Sequence, residues 1–100
     1  MAPKYPPQQA LDLIRKILNE GGYFQPTRHC RLDSMPKRDV DNQDIEILLT
    51  ETGRILKDPE WNEQHQNYVY TVEGLDESGE ELTAIITIEE PLRIPIITVY

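Results

Sequence analysis

Apolar residues recur at helical spacing in the first half of the chain and in alternation in the second, with the change of period at Gly53. Leu11, Ile14, Ile17 and Leu18 fall on one stripe, with Asp12, Arg15, Lys16 and Asn19 mostly opposite. That pattern predicts an amphipathic helix. It begins near Pro7, since proline is pre-set for a first helical turn, and Gly21-Gly22 ends it by allowing a left-handed cap. Tyr23-Phe24-Gln25-Pro26 reads as an extended linker, because the residue before a proline is pushed out of helical geometry. Thr27 then caps one or two helical turns reaching Met35, and Pro36 interrupts them. Asp41 is an N-cap for a second helix, with Asp44 where a capping box usually carries Glu or Gln. Ile45, Leu48, Leu49 and Thr52 supply its apolar stripe, and Gly53 closes it.

After Gly53 the pattern is that of strands. Arg54-Ile55-Leu56-Lys57 is a short candidate, followed by a polar loop, Asp58 to Gln66, that carries Trp61 and His65. Tyr68, Tyr70 and Val72 alternate with Val69, Thr71 and Glu73. Beyond a turn at Asp76-Glu77-Ser78-Gly79, Leu82, Ala84, Ile86 and Ile88 alternate with Thr83, Ile85 and Thr87. So short a connection makes these two strands antiparallel neighbours. Residues 94–100 form the last strand, with Pro95 at its start or where no ladder hydrogen bond is needed. The expected fold is α+β: two N-terminal helices packed on an antiparallel sheet of three or four strands, in one domain spanning residues 1–100. Residues 1–7, rich in proline, read as an unpacked arm. The expected core is Leu11, Ile14, Leu18, Ile45, Leu48, Leu49, Val72, Ala84, Ile86 and Ile97.

Composition narrows the class. With 100 residues, 38% hydrophobic and 28% charged, the chain has the make-up of one small folded domain. Its net charge of -8 argues against broad binding to nucleic acid or to an anionic membrane. No apolar run approaches the roughly 18 residues that span a bilayer. Pro3, Pro6 and Pro7 stand where a signal peptide would have its apolar core. The single cysteine, Cys30, has no internal disulfide partner, which suits the cytoplasm. No metal-ligand spacing and no glycine-rich phosphate loop is present, so neither metal nor cofactor is expected.

Against this acidic background, four of the ten basic residues (Arg28, Arg31, Lys37 and Arg38) gather around His29 between Thr27 and Asp41. Metal-independent RNA cleavage needs a proton acceptor, a proton donor and cations for the phosphorane. Histidine suits the first two roles and the planar guanidinium the third. The competing reading is a solvated helix face, with Arg38 paired to Asp39 or Asp41. Trp61 and His65 could stack on a base or simply cover the edge of a small core. Cys30 reads as inert.

The order Thr27-x-His29, Met35-x-x-Arg38, a hairpin, and a terminal Ile96-Ile97-Thr98-Val99-Tyr100 resembles a family of small bacterial domains of unknown function. That family is grouped with the RelE-like fold and with barnase, EndoU and colicin-type ribonucleases. The resemblance covers about residues 24 to 100. It implies a metal-independent endoribonuclease, such as the toxin of a toxin–antitoxin pair, with His29, Arg38 and Thr98 as catalytic residues. Arg54 and Tyr70 would bind substrate, Tyr70 and Thr98 from an open sheet face, and the basic cluster around His29 adds Arg31 to the substrate-binding set. The implied partners are RNA and an antitoxin or other protein. This chain departs from that pattern in being strongly acidic. The alternative on the same fold is a non-catalytic protein-interaction module with an acidic surface.

Overall fold

The computed structural model describes residues 2–100, and α1 (Pro7–Asn19) opens it as expected. Pro7 stands in its first turn, Gly21 beyond its end takes φ +92°, and Ala10, Leu11, Ile14 and Ile17 form its buried face. Leu18 is only half-buried, and Ala10 and Ile17 complete the stripe instead.

Pro36 does not end the second helical stretch. Residues 28–38 are continuously helical, with a wide π turn at Cys30–Ser34 followed by α2 (Met35–Arg38). Pro36 falls in the first turn of α2, where its missing N–H breaks no ladder bond. Thr27 caps this stretch, its Oγ1 accepting from the Cys30 N–H at 3.3 Å. The left-handed Asp39 (φ 54°) turns the chain into α3 (Asn42–Ile47). There Asp41 and Asp44 make a full reciprocal capping box, each bond 3.0 Å. A second π turn, Leu48–Thr52, extends α3 to Gly53. Gly53 is extended rather than left-handed, and its glycine has another cause. A Cβ there would run into the Leu48 carbonyl oxygen and lie 2.6 Å from Val72 Cγ1, so only glycine fits where the helix end meets the sheet.

The sheet has five strands, not three or four, and it is mixed. The strands are β1 (Tyr23–Pro26), β2 (Glu60–Asn62), β3 (Asn67–Leu75), β4 (Glu81–Ile86) and β5 (Arg93–Val99), in spatial order β1-β5-β4-β3-β2. The stretch expected as a linker is thus an edge strand, parallel to β5. Four residues ending in proline carry little strand signal, yet proline is tolerated at such an edge. The Arg54–Lys57 candidate reduces to one bridge between Arg54 and Glu73, while the expected loop contains β2.

One sheet face meets the helices. Tyr70 faces Ile86, Val72 faces Ala84, and Ile86 faces Ile96, all of them buried. Ile97, expected in the core, is half-buried because the β4–β5 register shifts beside it, and Ile94, Ile96 and Val99 take the inner positions. Pro95 is accommodated where β4 has already ended: the Thr87 N–H still reaches its carbonyl at 3.1 Å, and no N–H is asked of the proline.

Residues 28–38 cover the part of β5 that β1 leaves free. The Thr27 hydroxyl donates to the Ile97 carbonyl (3.2 Å), and Ser34 Oγ accepts from the Val99 N–H (3.3 Å). An open strand edge is thereby closed by side chains. The N-terminal arm is also tied down: the Tyr5 N–H donates to Tyr70 Oη at 3.0 Å, and the Tyr5 hydroxyl donates to the Glu90 carboxylate. No helix among the described residues is long and apolar enough to cross a membrane.

Candidate functional site

The fold disperses most of the six residues singled out from the sequence, leaving only His29 and Arg31 as near neighbours. His29 lies on the outer side of its helical stretch, 62% exposed, with Nε2 3.7 Å from Asp33 Oδ2. Asp33 also pairs with Lys37 at 3.2 Å, in an i, i+4 arrangement of three side chains on one helical face. Arg38, at the far end of that stretch, donates from Nη2 to the Glu81 carbonyl at the foot of the β3–β4 hairpin. Thr98 is half-buried opposite Ile85, on the sheet face turned away from the helices. Arg54 exchanges two backbone hydrogen bonds with Glu73 (2.8 and 2.9 Å) and leaves its side chain exposed.

Tyr70 requires a correction. It is 1% exposed and points into the helix-facing core rather than from an open face. Its pairing with Ile86 puts it in phase with Val72 and Ala84, the buried set. Burial pushes its hydroxyl pKa up, partly offset by the hydrogen bond from the Tyr5 backbone. Burial also pushes the Cys30 thiol up, against a smaller lowering by Ser34, which keeps the thiol protonated and unreactive. Trp61 packs edge-to-face on Tyr68, ring centroids 5.2 Å apart, and so covers the base of β3.

What the fold does bring together is a different set of cations. Arg28 and Arg31, from the start of the helical stretch, converge with Arg93 at the start of β5 on a shallow groove of about 510 Å³. Gln25, Thr27, Pro26 and Pro95 complete its walls. The parallel β1–β5 pairing creates this meeting: Tyr23 lies opposite Arg93 and Gln25 opposite Pro95, while Pro26 leads through Thr27 into Arg28.

The three guanidinium groups are held differently. Arg93 is fixed, with Nη2 2.9 Å from Glu89 Oε1 and Nη1 donating to Gln25 Oε1 at 3.2 Å, while its buried Nε has no partner. Its backbone is held as firmly, exchanging hydrogen bonds with Glu89 at 2.8 and 3.0 Å. Arg28 and Arg31 are exposed and have no carboxylate partner among the described residues. Arg28 and Arg31 belonged to the basic stretch visible in the sequence. Arg93 and Gln25 did not, and no local signal marks them, because they join the groove only through the long-range strand pairing.

A larger concavity, about 840 Å³, lies between α1 and α3. Its walls mix Lys16 with Asp12, Glu20 and Glu46, and its Arg15 is already committed. That arginine donates to the carbonyls of Leu49 (3.3 Å) and Gly53 (3.1 Å), closing the end of the α3 extension. Another concavity, of about 760 Å³, holds one unpaired guanidinium, Arg54, beside Glu51, Glu73 and Glu81, so the Arg28–Arg31–Arg93 groove is the site where unpaired guanidinium groups gather. No group of three or more His, Cys, Asp or Glu side chains that could hold a metal ion occurs among the described residues. Comparison with family models, with curated proteins and with solved structures finds no match to this chain.

Proposed function

We propose that the protein is a non-catalytic interaction module that grips an anionic group of a macromolecular partner in the Arg28–Arg31–Arg93 groove. The observation that carries this reading is the convergence of three arginines, two of them unpaired, on one groove of a chain whose net charge is -8. A guanidinium left without a carboxylate in so acidic a protein is available for a partner, and its planar fork suits oxyanions. The residues that cleavage would need are spread over the fold, with Tyr70 in the core and Arg38 bound to a backbone carbonyl. A second reading, metal-independent RNA cleavage, is favoured by one feature: His29 sits in the same helical turn as Arg28 and Arg31. In it His29 moves the proton and Arg31 holds the phosphate.

Fluorescence anisotropy with a short labelled peptide bearing two adjacent glutamates, at low salt, run beside a single-stranded RNA cleavage assay, separates the two. The module binds the peptide, loses about tenfold affinity in Arg31→Ala, is unaffected by His29→Ala, and leaves RNA intact. RNA cleavage that drops by roughly 10²–10⁴-fold in His29→Ala would sink the module and leave the nuclease standing. Failure of the native chain to bind any anionic probe would also sink it.

A further inference from the structure

From the charge and shape of the groove we infer that its ligand is a phosphomonoester carried on a partner protein, a phosphorylated side chain, rather than the backbone of a nucleic acid. This inference rests on the reading of the groove as an anion grip. Three guanidiniums line it and Glu89, paired with Arg93, offsets one, leaving two positive charges. A phosphomonoester carries about -1.5 to -2 at neutral pH, so one such group matches the groove. A nucleic acid presents its charge one unit at a time along a chain. To use this groove it must run on across a surface whose charge is overwhelmingly negative.

Distance sharpens the contrast. The hairpin acids Asp76, Glu77, Glu80 and Glu81 lie at the opposite end of the strands, whereas Asp33 stands on the Arg28–Arg31 helical stretch and Asp39 and Asp41 share a second shallow concavity with Arg31. Repulsion of a compact anion in the groove by the hairpin carboxylates, a strand's length away, is screened beyond a Debye length of about 8 Å at physiological salt. A polyanion has no such escape, because its own charges extend towards them.

The geometry fits a group on a chain. Arg93 is the fixed member, its guanidinium oriented by Glu89 and Gln25, while Arg28 and Arg31 are free to close on the oxygens. The half-buried Pro26 adds flat apolar surface, and Gln25 and Pro26 belong to β1, an edge strand along which an extended peptide can lie. Arginine clusters that recognise phosphorylated segments work by such paired contacts.

The test is anisotropy with a short labelled Gly-Ala peptide bearing one phosphoserine, compared with the same peptide bearing serine or glutamate, with single-stranded RNA, and with inorganic phosphate as competitor. The phosphopeptide is expected to bind about tenfold or more tighter than either peptide analogue. Its affinity should fall as pH drops through the second phosphate pKa, about 6, where the dianion becomes a monoanion. Arg31→Ala should weaken it about tenfold, and Arg28→Lys should retain only part of the affinity because an ammonium cannot make the forked contact. Both residues are exposed, so unchanged thermal unfolding will show that the variants fold. Equal binding of the glutamate peptide overturns the phosphate inference but leaves the anion-grip reading intact. Tighter binding of RNA, or inorganic phosphate competing as well as the phosphopeptide itself, also overturns it while sparing that reading. Unchanged binding in a folded Arg31→Ala overturns it too, and no binding of any probe removes both.

Discussion

The two ends of the sheet treat their charges in opposite ways. At the hairpin end the aspartates Asp41, Asp44 and Asp76 are knitted into the backbone. Asp44 Oδ1 accepts the Glu77 N–H at 3.1 Å, Asp44 Oδ2 accepts the Asp41 N–H at 3.0 Å, and Asp76 Oδ1 takes those of Ser78 and Glu80 at 2.8 and 2.9 Å. Thr52 Oγ1 both donates to the Leu75 carbonyl and accepts from the Leu75 N–H. Arg38 joins the same fabric through the Glu81 carbonyl. At the β1–β5 end, Arg28 and Arg31 have no such employment. A basic residue next to His29 in sequence is therefore either a structural clamp or a free arm, according to which end of one helical stretch it occupies. Charge that a fold has already used internally is not available to a ligand; charge that it leaves unpaired is.

The sharpest way to break this comparison is Asp44→Ala. Asp44 is buried and serves two backbone N–H groups, one of them on the hairpin. Hydrogen bonds to a charged acceptor and the loss of half a capping box together predict a cost of roughly 2–3 kcal/mol in denaturant unfolding. The crowd of carboxylates around it makes the opposite sign conceivable, since removing one negative charge also relieves repulsion. Asp44→Asn narrows the comparison, because it deletes the charge and keeps one of the two acceptors, its amide nitrogen facing the other N–H. If both variants stabilise the protein, the acidic end is held together despite Asp44 rather than by it.

A smaller effect concerns the arm at the other end. The Tyr5 hydroxyl is pushed up to about 12, first because it donates to the Glu90 carboxylate, then by burial and by the Glu90 charge. Unfolded, it ionises near 10. The folded state thus keeps a proton that the unfolded chain has lost, and this contribution is present in full below pH 10 and fades as pH rises towards 12. Burial of Cys30 and Tyr70 acts in the same direction. Thermal unfolding followed from pH 9 upward should show falling stability, and Tyr5→Phe should flatten the fall. An unchanged slope in that variant would mean the arm is not docked in solution.

How far these features could be read from sequence depends on how local their causes are. Pro7, Gly21 and the Asp41–Asp44 pair announce helix ends within a few residues, and the alternation around Val72 and Ala84 announces two neighbouring strands. The strands β1 and β2 exist only because distant partners accept them: Phe24 needs Ile94, and Trp61 needs Tyr68. The π turn at Cys30–Ser34 has no residue signature, and without it Pro36 reads as a helix breaker. Slippage at the β4–β5 bulge moved Ile97 out of the core. The groove follows the same rule. Its two helical arginines stood in a conspicuous basic run, whereas Arg93 reaches them only through a strand pairing that spans most of the chain.

The finest test pits Arg38 against Arg31, seven residues apart on one helical stretch. Arg38→Ala removes a donor from the Glu81 carbonyl at an exposed site, where a lost contact costs at most about 1 kcal/mol because water replaces it. Arg31→Ala removes a side chain with no internal partner, and stability should stay within about 0.5 kcal/mol of the native chain. Binding of an anionic peptide should reverse the order: Arg38→Ala leaves it intact, and Arg31→Ala weakens it about tenfold. Measuring both variants by denaturant unfolding and by anisotropy gives four numbers, of which two should move. If Arg38→Ala weakens binding as much as Arg31→Ala does, the cations of the stretch act as one diffuse patch, and the division between a clamped end and a free end fails.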